Sequence, residues 1–160
     1  MIYLIIMSKI FIAHRGNIFG PNPLQENQPS YIQQALDLGY NVEVDAWLIQ
    51  DTFYLGHDKP EYIVHADFFL NSNMWVHCKN LAALDELILE PDVNCFAHDN
   101  DNFVLTSKCY IWVFPAKRTL TSNCVAVLPE KVRNWDLKKC AAICTDYVLS
   151  YEKMEDEGKI

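Results

Sequence analysis

The sequence predicts an α/β fold, and two patterns support this class. Short apolar runs rich in β-branched and aromatic residues recur along the chain, as expected of strands. Between some of these runs lie segments whose apolar residues recur at helical spacing. A strand, a helix and a strand in succession favour parallel βαβ units. The seven predicted strands are Lys9–Ala13, Asn41–Leu48, Met74–Lys79, Asn94–His98, Tyr110–Phe114, Cys124–Leu128 and Ala141–Tyr147.

The first predicted helix runs from about Pro29 to Leu38, with its apolar residues on one face. Ser30 and Gln33 have the spacing of a capping box, in which two side chains satisfy free backbone N–H groups at the start of a helix. Gly39 suits the position after the last turn because glycine adopts a left-handed conformation without strain. These signals define both ends of the helix.

The second half of the chain is predicted to contain fewer helices. One helix is expected over Leu81–Leu89, with Asn80 as its N-cap. The gaps between the next strands are about ten residues long, which is shorter than a helical crossover requires. Residues 152–160 form an acidic tail that we expect to be solvated and frayed.

Composition indicates a globular domain. The chain has 160 residues, of which 51% are hydrophobic, and a formal net charge of −8. These values argue against a disordered chain, and no part is basic enough to predict a nucleic-acid partner. The six cysteines include no CxxC pair, so they are predicted to be reduced, buried thiols.

The apolar start of the chain is too short and interrupted for a membrane span or a signal peptide. Residues 1–8 are therefore treated as an N-terminal extension, with Met7 as a second candidate start. A cytoplasmic protein without stable membrane insertion is expected.

Ionisable residues gather at the ends of the first strands, where ligands bind in parallel α/β folds. Glu43 and Asp45 are two residues apart on one strand, so both side chains point to the same face. Two converging carboxylates suit Mg²⁺ or Ca²⁺. The alternative is that the pair forms the solvated face of an edge strand. The other residues at these ends are His14, Arg15, His57, Asp58, His77 and Lys79.

Ordered motifs give a more specific indication. They are His14-Arg15-Gly16, Glu26-Asn27, Glu43-Val44-Asp45 and Gly56-His57-Asp58, with Ile143-Cys144-Thr145-Asp146 near the end. In this order and at these separations they resemble the glycerophosphodiester phosphodiesterase family, which is related to the phosphatidylinositol-specific phospholipase C-like TIM barrels. The resemblance implies one phosphodiesterase-like barrel domain over residues 1–160. It would be a minimal TIM-type (β/α) barrel of seven to eight strands, with outer helices reduced in the second half.

The resemblance also implies residue roles. His14 and His57 would be the catalytic acid/base pair, and Arg15 and Lys79 would contact the phosphate. Glu43 and Asp45 would bind a divalent metal, with His77 as the third ligand. The secondary candidates are Glu26 near the metal, Asn27 as a helix cap or loop anchor, and Asp58 beside His57. From its place at the end of a predicted strand, His98 is a further secondary candidate, with two alternatives: the mouth of the site or an exposed turn.

The third predicted strand departs from the family pattern. His77 stands where the family has a glutamate ligand, so Mn²⁺ or Zn²⁺ becomes an alternative to Mg²⁺ or Ca²⁺. The short separation between His57 and this strand resembles the phospholipase C and sphingomyelinase D side of the superfamily.

The expected function is hydrolysis of a small-molecule phosphodiester by two-histidine acid/base catalysis. The substrate implied by the family is a glycerophosphodiester, which gives sn-glycerol 3-phosphate and an alcohol. Three alternatives stay open: a phospholipase C or sphingomyelinase D-like lipid phosphodiesterase, an inactive phosphate-binding domain on the same scaffold, and an unrelated α/β binding module.

Overall fold

A computed structural model describes residues 8–116 and 118–160. The proposed N-terminal extension therefore lies, apart from Ser8, outside the described residues. These described residues form three α-helices: α1 (Pro29–Asp37), α2 (Leu81–Leu87) and α3 (Val148–Asp156). The ten strands are β1 (Ile10–His14), β2 (Asn41–Ile49), β3 (Thr52–Leu55), β4 (Tyr62–Val64), β5 (Met74–Cys78), β6 (Asn94–Phe96), β7 (Phe103–Leu105), β8 (Ile111–Val113), β9 (Cys124–Val127) and β10 (Ala142–Thr145).

The strands form one curled sheet, which confirms the α/β class. Seven strands pair in parallel in the order β6-β5-β2-β1-β10-β9-β8, and β7 adds antiparallel to β8. The β3–β4 hairpin pairs with the carboxyl-terminal half of β2. The sheet curls far enough for its two ends to meet: Ser107, between β7 and β8, donates its N–H to the Cys95 carbonyl of β6 at 2.8 Å.

Side chains alternate between the two faces of this sheet, as the strand period requires. Inside the curl, Ile12, Trp75 and Trp112 belong to one buried apolar cluster. Outside it, neighbouring residues such as Val44 and Val76 pack in a larger cluster with residues of the helices. The inner face also carries polar residues, among them His14 at the carboxyl end of β1 and Glu43 and Asp45 within β2.

The first two helices match the sequence prediction in position but differ in how they are capped. Pro29 occupies the first turn of α1, and the N-cap Gln28 makes no side-chain capping bond. The predicted capping box of Ser30 and Gln33 is therefore wrong, because the helix begins before Ser30. In α2 the prediction is confirmed, since the Asn80 side chain accepts a hydrogen bond from the Ala83 N–H at 3.1 Å.

The prediction of a frayed acidic tail is wrong. Residues 148–156 form α3, whose first residue, Val148, is fully buried. Tyr40 donates its hydroxyl proton to Glu152 at 2.7 Å, and the Lys9 N–H donates to Glu155 at 3.1 Å. Tertiary contacts thus order a segment whose composition resembles that of a solvated end.

Three strands were not predicted: β3, β4 and β7. Each has only three or four residues, which is too few for a periodic pattern to be recognised, and Phe103 and Leu105 of β7 are exposed. Among the described residues, no α-helix lies between β6 and β9, which agrees with the predicted loss of outer helices in this region.

All six cysteines are free thiols, and five are buried as predicted. Cys109 is exposed in the turn before β8, where it has a left-handed backbone. None of the helices in the described part of the chain has the length and apolarity needed to cross a membrane.

Candidate active site

The predicted site residues surround a cavity of about 520 Å³ at the carboxyl ends of the parallel strands. One side of the cavity is ionic and comes from β1, β2 and β5. The opposite side is mainly apolar and comes from β8, β9 and the segments that follow them. The lining residues are His14, Arg15, Glu43, Asp45, His57, His77, Lys79, His98, Asp99, Trp112, Phe114, Pro115, Val127, Leu128 and Lys131.

Asp45 is the most heavily contacted carboxylate of the cavity. It is completely buried on β2, and its Oδ1 atom lies 3.0 Å from Nδ1 of His77 and 3.6 Å from Nζ of Lys79. Nε of Arg15 lies 3.0 Å from Oδ2, as an ion-pair contact without the direction of a hydrogen bond. Burial alone would raise the pKa of Asp45, but these three partners hold it well below its usual range.

At Glu43, the effects that raise the pKa outweigh those that lower it. It is 2% exposed, and its pKa is raised by burial and by repulsion from Asp45, despite the nearby cationic side chains. Two acidic groups in one buried site favour a compensating cation.

The residues present fit a divalent metal. Ligand atoms of Glu43, Asp45 and His77 all lie within 4.8 Å of one another, and all three residues are buried. Two carboxylates and one imidazole suit Mn²⁺ or Zn²⁺, and the oxygen ligands also suit Mg²⁺. The structure thus brings together the three residues that sequence analysis assigned to a metal site.

His14 is held by Asp146, an acidic residue outside the group of Glu43, Asp45 and His77. Its Nδ1 atom lies 2.7 Å from Oδ1 of Asp146, just after β10, whereas Nε2 lies 4.0 Å from Glu43. Burial alone would lower the pKa of His14, but the Asp146 hydrogen bond and the charge of Glu43 outweigh it and raise the pKa. Because Nδ1 is occupied, Nε2 is the nitrogen that faces the cavity.

Glu26 fixes Arg15 in the lining of the cavity, since its Oε2 atom accepts a hydrogen bond from Nη1 at 3.1 Å. The other carboxylate oxygen of Glu26 accepts from the Asn17 amide at 2.9 Å, and that amide also donates to Asp146 at 2.9 Å. Glu26 therefore does not join the three metal-ligand candidates. It links Arg15, through Asn17, to the partner of His14.

Asn27 orients a loop and does not cap α1. Its amide donates to Oδ2 of Asp45 at 2.9 Å, and its side-chain oxygen accepts from the Asp45 N–H at 2.9 Å. The residue is 1% exposed and has a left-handed φ of 62°. Of the two roles expected from sequence, the structure supports the anchoring one.

His57 enters the cavity from the loop between β3 and β4. Its ring is partly exposed, and Nδ1 lies 2.7 Å from Oδ1 of Asp58. Gly56 has a φ of 148°, and a Cβ atom there would overlap the Lys59 carbonyl oxygen. The tight turn at Gly56 thus determines where His57 is presented.

His98 lies against His77. The two rings are parallel, with centroids 4.3 Å apart, and the parallel Phe96 ring lies 5.3 Å from His77 and 6.2 Å from His98. Burial and the neighbouring His77 lower the pKa of His98 to about 4. The predicted position of His98 at the mouth of the site is observed, and its ring restricts the orientation of His77.

Sequence analysis did not assign roles to Asp146 and Asn17. Asp146 stands at the carboxyl end of the last predicted strand, the same edge that carries His14 and Glu43, and that position was a usable signal. Asn17 is completely buried among polar partners, which no local pattern indicates.

Comparison with known proteins adds no assignment. No family model matches the chain, and no curated protein or solved structure matches it. The site is interpreted from its own residues and geometry.

Proposed function

We propose that this protein is a metal-dependent phosphodiesterase of the glycerophosphodiester phosphodiesterase type, built on a minimal TIM-type barrel. One observation carries the proposal: the buried Glu43, Asp45 and His77 cluster opens into the same cavity as His14 and His57. Phosphodiester hydrolysis requires proton transfer on both sides of the phosphorus and positive charge on its oxygens. The cavity contains groups suited to both tasks.

The two histidines are arranged alike. Nδ1 of His14 contacts Asp146, and Nδ1 of His57 contacts Asp58, each at 2.7 Å. An imidazole whose Nδ1 is held by a carboxylate exchanges its proton through Nε2. One histidine accepts the proton of the attacking hydroxyl as the new P–O bond forms. The other donates a proton to the leaving oxygen as the old P–O bond breaks.

The remaining groups bind and orient the substrate. Arg15 and Lys79 place positive charge beside Asp45, at the side of the cavity where the phosphate would sit. When bound to Glu43, Asp45 and His77, a divalent cation would neutralise charge on the phosphoryl oxygens. The His98 and Phe96 rings both pack against the His77 ring and restrict its orientation.

A direct assay tests this proposal. Purified protein is incubated with bis(p-nitrophenyl) phosphate, a panel of glycerophosphodiesters, a lysophospholipid and sphingomyelin, in Mg²⁺, Ca²⁺, Mn²⁺, Zn²⁺ or EDTA. We expect metal-dependent turnover that falls at least 100-fold in His14→Ala and in His57→Ala, because each removes a proton-transfer group.

The matched control is His65→Ala, since His65 is an exposed histidine outside the cavity. Turnover in this variant should equal that of the wild type. Equal trace activity in all four proteins, unchanged by EDTA, would exclude the enzyme.

A second candidate is a phosphate-binding domain without turnover. It is favoured by the three contacts of Asp45 with Arg15, His77 and Lys79, which compensate one carboxylate without a metal ion. Phosphate binding unaffected by EDTA, together with no hydrolysis, would identify this function.

A further inference from the structure

Lys131 differs from the other long cationic side chains of the cavity. Arg15 contacts Glu26 and Asp45, and Lys79 contacts Asp45. In residues 8–116 and 118–160, by contrast, the Lys131 side chain forms neither an ion pair nor a hydrogen bond, although it lines the same cavity. Its ammonium group is therefore available to a ligand.

The backbone of Lys131 is fixed close to Asp146, the hydrogen-bond partner of His14. Pro129–Lys131 forms a 3-10 turn directly after β9, and the Lys131 N–H donates to the Leu128 carbonyl at 3.0 Å. Within this turn, the Glu130 carboxylate accepts hydrogen bonds from the Thr145 hydroxyl and the Asp146 N–H, each at 2.9 Å. Lys131 thus follows a residue that is bound to the segment holding His14.

The turn begins with an uncommon backbone conformation. Leu128 has a left-handed φ of 47°, and its N–H donates to the Cys144 carbonyl at 2.7 Å. A branched residue adopts this conformation only where the surroundings enforce it. The direction in which the chain leaves β9, and with it the position of Lys131, is set by β10.

The side of the cavity around Lys131 otherwise lacks positive charge. Its neighbours in the lining from β8, β9 and the segments after them are apolar, and no other lysine or arginine of the described chain lines this side. An anion bound on this side would depend on Lys131, since its ammonium group has three donors and no other cationic side chain of the described chain lines this side.

We propose that Lys131 binds an oxyanion of a phosphate ester on the side of the cavity formed by β8, β9 and the segments that follow them. The ligand class comprises the phosphodiester substrate and the phosphomonoester product. This inference rests on the proposed function for the identity of its ligand, but the binding step is measurable without turnover. It also assigns a role to a lysine that no sequence motif indicated.

Isothermal titration with inorganic phosphate, in EDTA, tests the inference. The proteins are wild type, Lys131→Met, Lys131→Arg and the control Lys138→Met. Lys138 is exposed and lines a separate pocket at the amino ends of the parallel strands. We expect Lys131→Met to weaken phosphate binding about tenfold, the loss typical of one charge-assisted contact. Lys131→Arg should retain affinity within about threefold, and Lys138→Met should match the wild type.

Equal affinity in wild type and Lys131→Met would overturn the inference, as would the absence of phosphate binding to the wild type at about 10 mM. Hydrolysis of bis(p-nitrophenyl) phosphate is measured on the same preparations. Hydrolysis with unchanged phosphate affinity in Lys131→Met would reject the Lys131 role alone. Weakened phosphate binding without hydrolysis in any protein would reject the enzyme and retain the anion site.

Discussion

At the scale of single residues, charge compensation determines which groups of the cavity are ionised. The pKa of Asp45 is lowered, whereas the pKa of Glu43, two residues away on the same strand, is raised. Sequence spacing showed that both carboxylates share a face, but it could not distinguish them. Their difference arises because Asp45 has a hydrogen bond to His77 and lies within ion-pair distance of Arg15 and Lys79.

Asp146 gives a testable pH dependence at this scale. In Asp146→Asn, the His14 pKa should fall, because burial remains and the charge that opposes it is lost. NMR titration of the His14 ring measures this value, and the His65 signal provides the control. An unchanged His14 pKa would show that Asp146 does not contact the ring in solution.

Linkage gives the sign of the accompanying stability change. Because the folded pKa of His14 lies above 6.5, its stabilising contribution is fully present below about pH 6.5 and is lost as the pH rises through the folded pKa. Urea midpoints of the wild type should therefore decline in this range more than those of Asp146→Asn.

At the scale of elements, short antiparallel strands added to the sheet position side chains of the cavity. The β3–β4 hairpin extends from β2 and carries His57 on its loop. The sequence identified His57 from a motif, but it did not indicate the hairpin. Strands of three or four residues have too few positions for a periodic pattern to be recognised.

Gly56→Ala tests the role of this loop. The new Cβ would overlap the Lys59 carbonyl, so we expect a loss of about 2 kcal/mol in unfolding free energy and a displaced His57. Gly39→Ala is the control, because Gly39 also has a positive φ but has no atom within 4 Å of its Cβ position. Urea denaturation measures both. An equal loss of unfolding free energy in the two variants would mean that backbone strain alone, without the overlap, accounts for the effect of Gly56→Ala.

At the scale of the whole molecule, the curl of the sheet creates the cavity. Ser107 joins the two ends: its hydroxyl accepts from the Cys95 N–H at 2.9 Å and donates to the Val93 carbonyl at 3.0 Å. Phe96 and Trp112 also meet across these ends, with ring centroids 4.4 Å apart. The ionic side formed by β1, β2 and β5 thereby faces the apolar side formed by β8 and β9.

Ser107→Ala should weaken this junction. The substitution leaves the buried Cys95 N–H without its side-chain partner, at a cost of about 1 kcal/mol in unfolding free energy. Ser122→Ala is the matched control, since Ser122 is exposed. Urea midpoints and hydrogen exchange at Cys95 measure the effect, and unchanged exchange protection there would contradict the proposed junction.

The sequence by itself determined the α/β class, most of the parallel strands and the clustering of Glu43, Asp45 and His77. These features depend on the alternation of side chains along a strand and on the common edge at which parallel strands end. Both are local regularities that the order of residues contains.

Only the tertiary structure decided what surrounds these residues. Asp146 contacts His14 across 132 positions of the chain, Asn27 anchors Asp45, and α3 packs where an acidic tail was expected. Such contacts depend on which strands become neighbours when the sheet curls. A hydrogen bond between distant residues requires that three-dimensional arrangement, and no local pattern of residue types encodes it.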